Sequence, residues 1–245
     1  MQGQVVVITG GAGGIGSAIC HRLAQAGAQV VVLYRSDPQK AARLLESLPG
    51  GKHLSLQADV TQSSTLEQAA RRVAEQYGRL DLLVNNAGIT RPVPHDDLEA
   101  LDDELIDQIF RTNWRGAFAT VRAFRGLLEQ SPAPLIVNIS SVAAQTGLGS
   151  NIAYCASKAA LDSLTRSLAR ALAPHIRVVS VSPGWVLGEY ASRMDPALLE
   201  AQRTRTPLGR LATAEDVAQA VYAAAVYLPH TTGAVLPVDG GRPLG

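Results

Sequence analysis

Cysteine, aromatic residues and net charge are all scarce in this chain, and each scarcity removes a class of protein. Two cysteines, Cys20 and Cys155, cannot build a disulfide framework or a Cys-rich zinc site. Both lie in Ala-rich helical contexts that read as buried packing. The five histidines include no pair at metal-ligand spacing, so no metal site is expected. His95, beside Asp96 and Asp97, reads as solvated rather than metal-binding. Basic residues (22) nearly balance acidic ones (21), leaving a formal net charge of +1 and no reason to expect nucleic acid or an anionic membrane as a partner. No apolar run reaches transmembrane length, and the first residues enter a strand-like run, Val5–Thr9, without a basic or long apolar leader. A cytoplasmic protein is the expectation. Apolar residues make up 47% of the 245 and charged ones 18%, which suits one large soluble domain with a full core.

What is present is alternation. Short β-branched runs at 5–9, 29–34, 53–57, 81–85, 134–140, 177–182 and 233–238 are separated by helical patterns near 15–27, 38–48, 62–77, 101–130, 152–173 and 213–228. Several of the strand-like runs are apolar on both faces, as in a parallel sheet covered by helices on each side. The pattern predicts an α/β fold: a doubly wound, Rossmann-type parallel sheet of about seven strands with helices on both faces. No repeat or composition shift divides the chain, so residues 1–245 read as a single domain. The stretch 185–210 follows a Pro-Gly, mixes apolar with charged residues and has no evident sheet role; it is expected to be a flexible flap over a site.

Three patterns carry chemistry. Between the first strand and first helix lies TGGAGGIG, Thr9 to Gly16, with glycines that let the backbone turn tightly and approach a pyrophosphate at a helix N-terminus. Ser141 follows the fifth strand. Tyr154 and Lys158 are one turn apart on a mostly apolar helix, with no acid between them. A free phenol has a pKa of about 10 and is a poor base at neutral pH, whereas a neighbouring ammonium favours the phenolate.

The spacing Thr9-Gly10-xxx-Gly14-x-Gly16, NNAG at 85–88, Ser141 and Tyr154-xxx-Lys158 together resemble the short-chain dehydrogenase/reductase family. The resemblance covers essentially the whole chain and includes Asp59-Val60, Asn113, Pro183-Gly184 and VDGG at 238–241. Nearest in character are single-domain members like the 3-oxoacyl-carrier-protein reductases. The resemblance implies that Tyr154 is the general acid/base, that Lys158 lowers its pKa and also holds the nicotinamide ribose, and that Ser141 hydrogen-bonds the carbonyl oxygen. It implies that Asn113 kinks the fourth helix and anchors a water in a relay from Lys158. Gly10, Gly14, Ile15 and Gly16 would cradle the cofactor, and Asp59 and Val60 would flank its adenine. Asn86, Ala87 and Gly88 would line the adenosine ribose and nicotinamide side. Pro183, Gly184 and Val186, with Tyr154 and Lys158, would complete the nicotinamide end. Relatives commonly carry Thr where this chain has Gly188, so a hydroxyl that holds the carboxamide is missing. Backbone groups at Val186 could make part of that contact, and Glu189 and Tyr190 are the side chains placed to substitute.

Cofactor choice is read at the end of the second strand, where NAD-using relatives carry an acid. Here Tyr34, Arg35 and Ser36 stand there, and Arg35 could pair with a 2′-phosphate. Asp37, before Pro38, reads as the start of the next helix. NADP(H) is therefore favoured, with NAD(H) the alternative because Gly13 stands where NADP-using relatives often place a second basic residue. Trp185, Leu187, Tyr190 and Met194 could close over a ketone or pack the flap onto the body. The segments 131–134 and 173–175 lack the basic residues of relatives that dock acyl-carrier protein, so a small carbonyl or alcohol is the expected substrate. The helices at 101–130 and 152–173 show more apolar surface than one sheet face can cover, and the resemblance implies that they pair into a four-helix interface, so a homotetramer, or a dimer, is expected. Two other readings stand beside the NADP(H) reductase: an NAD-dependent alcohol or sugar dehydrogenase, and a non-catalytic dinucleotide-binding regulator. The regulator would be expected to have lost Tyr154, Lys158 or Ser141, and none is lost.

Overall fold

In the computed structural model, which describes residues 1–188 and 195–244, seven parallel strands form one sheet. They are β1 (Val5–Thr9), β2 (Gln29–Tyr34), β3 (Leu54–Gln57), β4 (Leu82–Asn85), β5 (Leu135–Ile139), β6 (Arg177–Pro183) and β7 (Val235–Val238), in spatial order β3-β2-β1-β4-β5-β6-β7. The helices are α1 (Gly14–Gln25), α2 (Pro38–Ser47), α3 (Ser63–Tyr77), α4 (Asp103–Phe110), α5 (Gly116–Leu128), α6 (Ala143–Thr146), α7 (Ile152–Leu172), α8 (Pro196–Thr204) and α9 (Ala214–Val226).

Period-two alternation within fully buried strands divides the core in two. Val5 and Val7 point to one face, where Leu66, Val73, Phe124, Leu161 and Leu164 of α3, α5 and α7 cover them. Val6 and Ile8 point to the other, under Ile19, Leu23, Val217 and Val221 of α1 and α9. The buried Asp81 locks the bottom of the sheet: its carboxylate accepts from Val5 N–H at 2.8 Å, Arg79 Nε at 3.1 Å and Ser131 Oγ at 2.6 Å. The strand order reverses between β1 and β4, which opens a crevice at their carboxyl ends.

Two stretches differ from the sequence expectation. The single helix expected over 101–130 is α4 and α5 joined by a π turn, Arg111–Arg115. Among the described residues of 185–210, Val186 forms a parallel bridge with Ala212, and α8 occupies 196–204 with its N-terminus capped by Asp195. Pro237 lies within the edge strand β7, whose even-numbered residues bond to β6.

Candidate active site

The loop after β1 turns too tightly for side chains at two of its glycines. Gly10 has φ 61°, and a Cβ on Gly16 would lie 2.4 Å from the Gly10 carbonyl oxygen, so only glycine permits this close turn. No side chain caps α1, leaving its first N–H groups facing outward, and Gly14 has open space above it. Unpaired N–H donors at a helix N-terminus beside open space suit a pyrophosphate.

Thr9, which sequence reasoning places in the glycine motif without assigning it a role, fastens this loop to the end of β4. Its buried hydroxyl accepts from the N–H groups of Asn86 and Ala87, each at 3.0 Å. The Asn86 side chain donates to the carbonyls of Thr9 and Gly10 at 3.0 Å. At the end of β2, Tyr34 is half-buried while Arg35 and Ser36 are exposed. Asp37 accepts from Lys40 N–H at 2.8 Å and so caps α2. The Asp59 carboxylate takes the N–H and hydroxyl of Thr61 at 2.8 and 2.7 Å, and Val60 lies under Gly116.

Across the crevice, the end of β5 leads into Ser141, whose half-buried hydroxyl accepts from Ala143 N–H at 3.2 Å. A Cβ on Gly149 would meet Ala143 Cβ at 3.0 Å and Tyr154 Cδ1 at 3.3 Å, so the turn after Ser141 and the Tyr154 ring are neighbours. Lys158 is 5% exposed; its Nζ donates to the Ile139 carbonyl at 2.7 Å and lies 5.7 Å from the Tyr154 ring centroid. Burial pushes its pKa from the ordinary 10.5 down to about 8, opposed by the attraction of Asp162 one turn further along. Asp162 is itself buried, with Oδ1 unpartnered. A Cβ on Gly88 would lie 3.3 Å from Asn113 Oδ1 and 3.6 Å from Lys158 Nζ, which brings the NNAG loop, the π turn and α7 to one point.

Asn113 stands in the middle of the π turn, and its amide spans two elements. Oδ1 accepts from Ile89 N–H at 2.8 Å, while Nδ2 donates to the Ile89 carbonyl and Ser157 Oγ, both at 3.1 Å. Both amide protons are thus used within the protein. After β6, Val142 N–H donates to the Pro183 carbonyl at 2.9 Å, and Gly184 packs against Asp239 where a Cβ would lie 3.0 Å away. The Trp185 ring lies beneath the Arg242 guanidinium at 5.8 Å, and Leu187 is exposed. Glu189, Tyr190 and Met194 lie outside the described residues. His95, expected to be solvated, is half-buried with Nε2 3.1 Å from the Gly149 carbonyl. Both cysteines are buried, and burial raises their thiol pKa values. Among the described residues no cluster of His, Cys, Asp or Glu could hold a metal ion, and no helix is long and apolar enough to cross a membrane.

A switch-point crevice, a glycine-lined helix start and a Tyr–Lys pair beside a serine define a dinucleotide-dependent oxidoreductase. The family model for enoyl-(acyl carrier protein) reductases matches residues 10–242. A Streptomyces violaceoruber protein, whose name assigns it to the granaticin polyketide synthase as a ketoacyl reductase, is 37% identical over 245 residues, covering 99% of this chain and 97% of its own. The 3-oxoacyl-[acyl-carrier-protein] reductase of Thermotoga maritima is 33% identical over 245 residues and 98% of each chain. A solved short-chain dehydrogenase/reductase mutant from Serratia marcescens superimposes with a TM-score of 0.90 at 33% identity, again over 98% of each chain. The chain belongs to the short-chain dehydrogenase/reductase family. It is an oxidoreductase that binds NAD(P)(H) and interconverts a carbonyl and an alcohol.

Proposed function

We propose that this enzyme is an NADP(H)-dependent reductase of small ketones, with Tyr154 as its acid/base. The observation that carries the reading is the buried Lys158 ammonium on the turn beside Tyr154, with no carboxylate between them. In that field Tyr154 gives its proton to the carbonyl oxygen and is left as a stabilised phenolate. Ser141 donates a hydrogen bond to the same oxygen and orients the substrate. A bound nicotinamide supplies the hydride equivalent. Asn113 holds the Ile89 backbone beside Lys158, and a water on the π turn would connect that lysine to solvent. Gly10, Gly14, Ile15 and Gly16 receive the pyrophosphate; Asp59, Val60, Asn86, Ala87 and Gly88 receive the adenosine side. Pro183, Gly184 and Val186 receive the nicotinamide end, closed over by the flap at 185–210.

Preference for NADP(H) follows from the end of β2. Arg35 and Ser36 are exposed there, and Asp37 is committed to its cap, so no acid meets a 2′-phosphate. Gly13 keeps an NAD-dependent alcohol or sugar dehydrogenase as the second reading, since the loop offers no second cation. The pocket takes a free ketone rather than an acyl chain on a carrier protein, because 131–134 and 173–175 present no basic residue except His175. The test is absorbance at the nicotinamide band with a ketone panel and each cofactor. NADPH oxidation exceeding NADH oxidation supports the reading; the reverse preference replaces it with the second; no turnover with either overturns it.

Gly188 refines this prediction. Its φ is not in the left-handed region, and nothing lies within 4 Å of a Cβ built on it, so a threonine fits without strain. Gly188→Thr is expected to tighten cofactor binding by about 0.5–1.5 kcal/mol, the net worth of one hydrogen bond. Calorimetric Kd values for both proteins check this, with circular dichroism confirming the fold. Unchanged binding would mean that another group already holds the carboxamide.

The same reading includes a homotetramer. Trp114 and Phe118 stack 6.3 Å apart at 8° and are both exposed on the π turn and α5. Asp103, Glu104 and Asp107 of α4 and Arg166 and Arg170 of α7 are also exposed, so both signs of charge are available for pairing between copies. Sedimentation at micromolar protein is expected to give roughly four times the 25.8 kDa of one chain. A species of one chain's mass would remove the assembly.

A further inference from the structure

Hydrogen bonds around Tyr154 close into a ring through its own backbone. Its N–H donates to Asn151 Oδ1 at 2.6 Å, and its carbonyl accepts from Ser157 Oγ at 2.8 Å. Asn151 then reaches across to the loop after β4, donating from Nδ2 to the Arg91 carbonyl at 2.7 Å and to Thr90 Oγ1 at 3.4 Å. Ser157 Oγ in turn accepts from Asn113 Nδ2, whose amide grips both backbone groups of Ile89. Ile89 leads directly into Thr90 and Arg91, and the circuit is complete. Val93 N–H to the Ser150 carbonyl (2.8 Å) and the Thr90–Ser150 hydroxyl contact run alongside it. Asn151 and Ser157 are both 0% exposed, so neither bond competes with water.

An ordinary helix cap would end at the Tyr154 N–H. Here the capping amide has a second half, and that half is used to fasten the cap to another element. Ser157 lies one turn on and ties the carbonyl of the same residue to the π turn. A phenol carried on a rotatable side chain is aimed by the position of its Cα, and a misplacement of about 1 Å costs about a hundredfold in rate.

We infer that Asn151 and Ser157 are positioning residues that hold Tyr154 at its working place by linking its backbone to the Ile89–Arg91 segment and to Asn113. This rests on the reading of Tyr154 as the acid/base. Asn151→Asp keeps the acceptor for the Tyr154 N–H but loses the donors to Thr90 and Arg91; Ser157→Ala opens the ring on its other side. With ethyl acetoacetate as the probe ketone, each variant is expected to lower kcat about tenfold to a hundredfold. NADPH Kd should stay within about twofold, because no cofactor contact is touched. Use of 4-deuterated NADPH should give a larger isotope effect on kcat than in the wild type, since a misaimed phenol slows the chemical step itself. The double variant should fall within about threefold of the poorer single one, because one cut already opens the ring. Multiplying losses would show two independent structural effects and overturn the coupling. Hydrogen exchange by mass spectrometry provides an arm independent of turnover: both variants should speed exchange in the segment 89–93, and unchanged exchange there would overturn the ring. A wild type that reduces no ketone would sink the acid/base reading, while the exchange arm would still decide whether the ring exists.

Discussion

Tyr154→Phe is expected to bind NADPH within a few-fold of the wild type and to reduce ketones ~10²–10⁴ times more slowly, the usual worth of a positioned acid/base. The substitution removes one oxygen from a half-buried ring and leaves the ring's packing near Gly149 in place. Its backbone hydrogen bonds to Asn151 and Ser157 do not involve the phenol, so α7 should start at the same residue. Steady-state kinetics and a fluorescence Kd separate the two effects. Turnover retained in the Phe variant would mean that Ser141 or a water delivers the proton, and the assignment of Tyr154 would be wrong.

Lys158→Met should produce opposite changes in activity and stability. Loss of the ammonium returns Tyr154 toward an ordinary phenol, and turnover should fall at least as far as in Tyr154→Phe. Nicotinamide-ribose affinity should fall with it. Stability should move the other way. The folded-state pKa of about 8 lies below the ordinary 10.5, so the folded protein binds fewer protons than the unfolded chain between those values. Burying the charge therefore costs stability in full below about pH 8, and the cost fades as pH rises toward 10.5. Removing the charge recovers about 3 kcal/mol at pH 7, offset by about 1 for the Ile139 carbonyl left without its donor. The apo variant should be more resistant to urea than the wild type at pH 7, with the gap narrowing by pH 9.5. A less stable variant at pH 7 would mean that the buried ammonium is better compensated, by Asp162 first of all, than its surroundings indicate. In the wild type, kcat/KM for ketone reduction should decline above about pH 8 as the ammonium titrates.

Strands buried on both faces leave a plain trace in a sequence, and here the central ones (β1, β2, β4, β5 and β6) were legible as apolar, mostly β-branched runs, with the half-buried edge strands β3 and β7 legible from their place in the alternation. The glycine turn and the Tyr154–Lys158 pair could be picked out for a related reason: each is a pattern of spacing within one short stretch of chain. What the residues did not disclose depends on contacts between elements. The π turn at Arg111–Arg115 is a change in hydrogen-bond register inside a pattern that remains amphipathic, so periodicity reads through it as one helix. Thr9 looks like the last residue of a strand until Asn86 and Ala87 arrive from 75 or more positions away. Asn151 did carry a local signal, being a capping residue type just before a helix, but its second set of bonds is visible only in three dimensions. The helix at 196–204 was hidden by its charge mixture, although Asp195 followed by Pro196 is a helix start by the usual rules.

The proline in β7 has a consequence for how copies of this chain can meet. Ser180 N–H donates to the Ala234 carbonyl and Gly184 N–H to that of Val238, so the even-numbered residues of β7 face β6 and the odd-numbered ones face away. Pro237 is odd, and the N–H it lacks would have pointed outward. The inner ladder therefore loses nothing, while the outer edge keeps carbonyls but is missing a donor where an incoming strand would need one. A foreign strand pairing along that edge would find a donor missing, which disfavours continuation of the sheet into a neighbour. Protection against runaway sheet growth is thus built into a single ring closure at position 237.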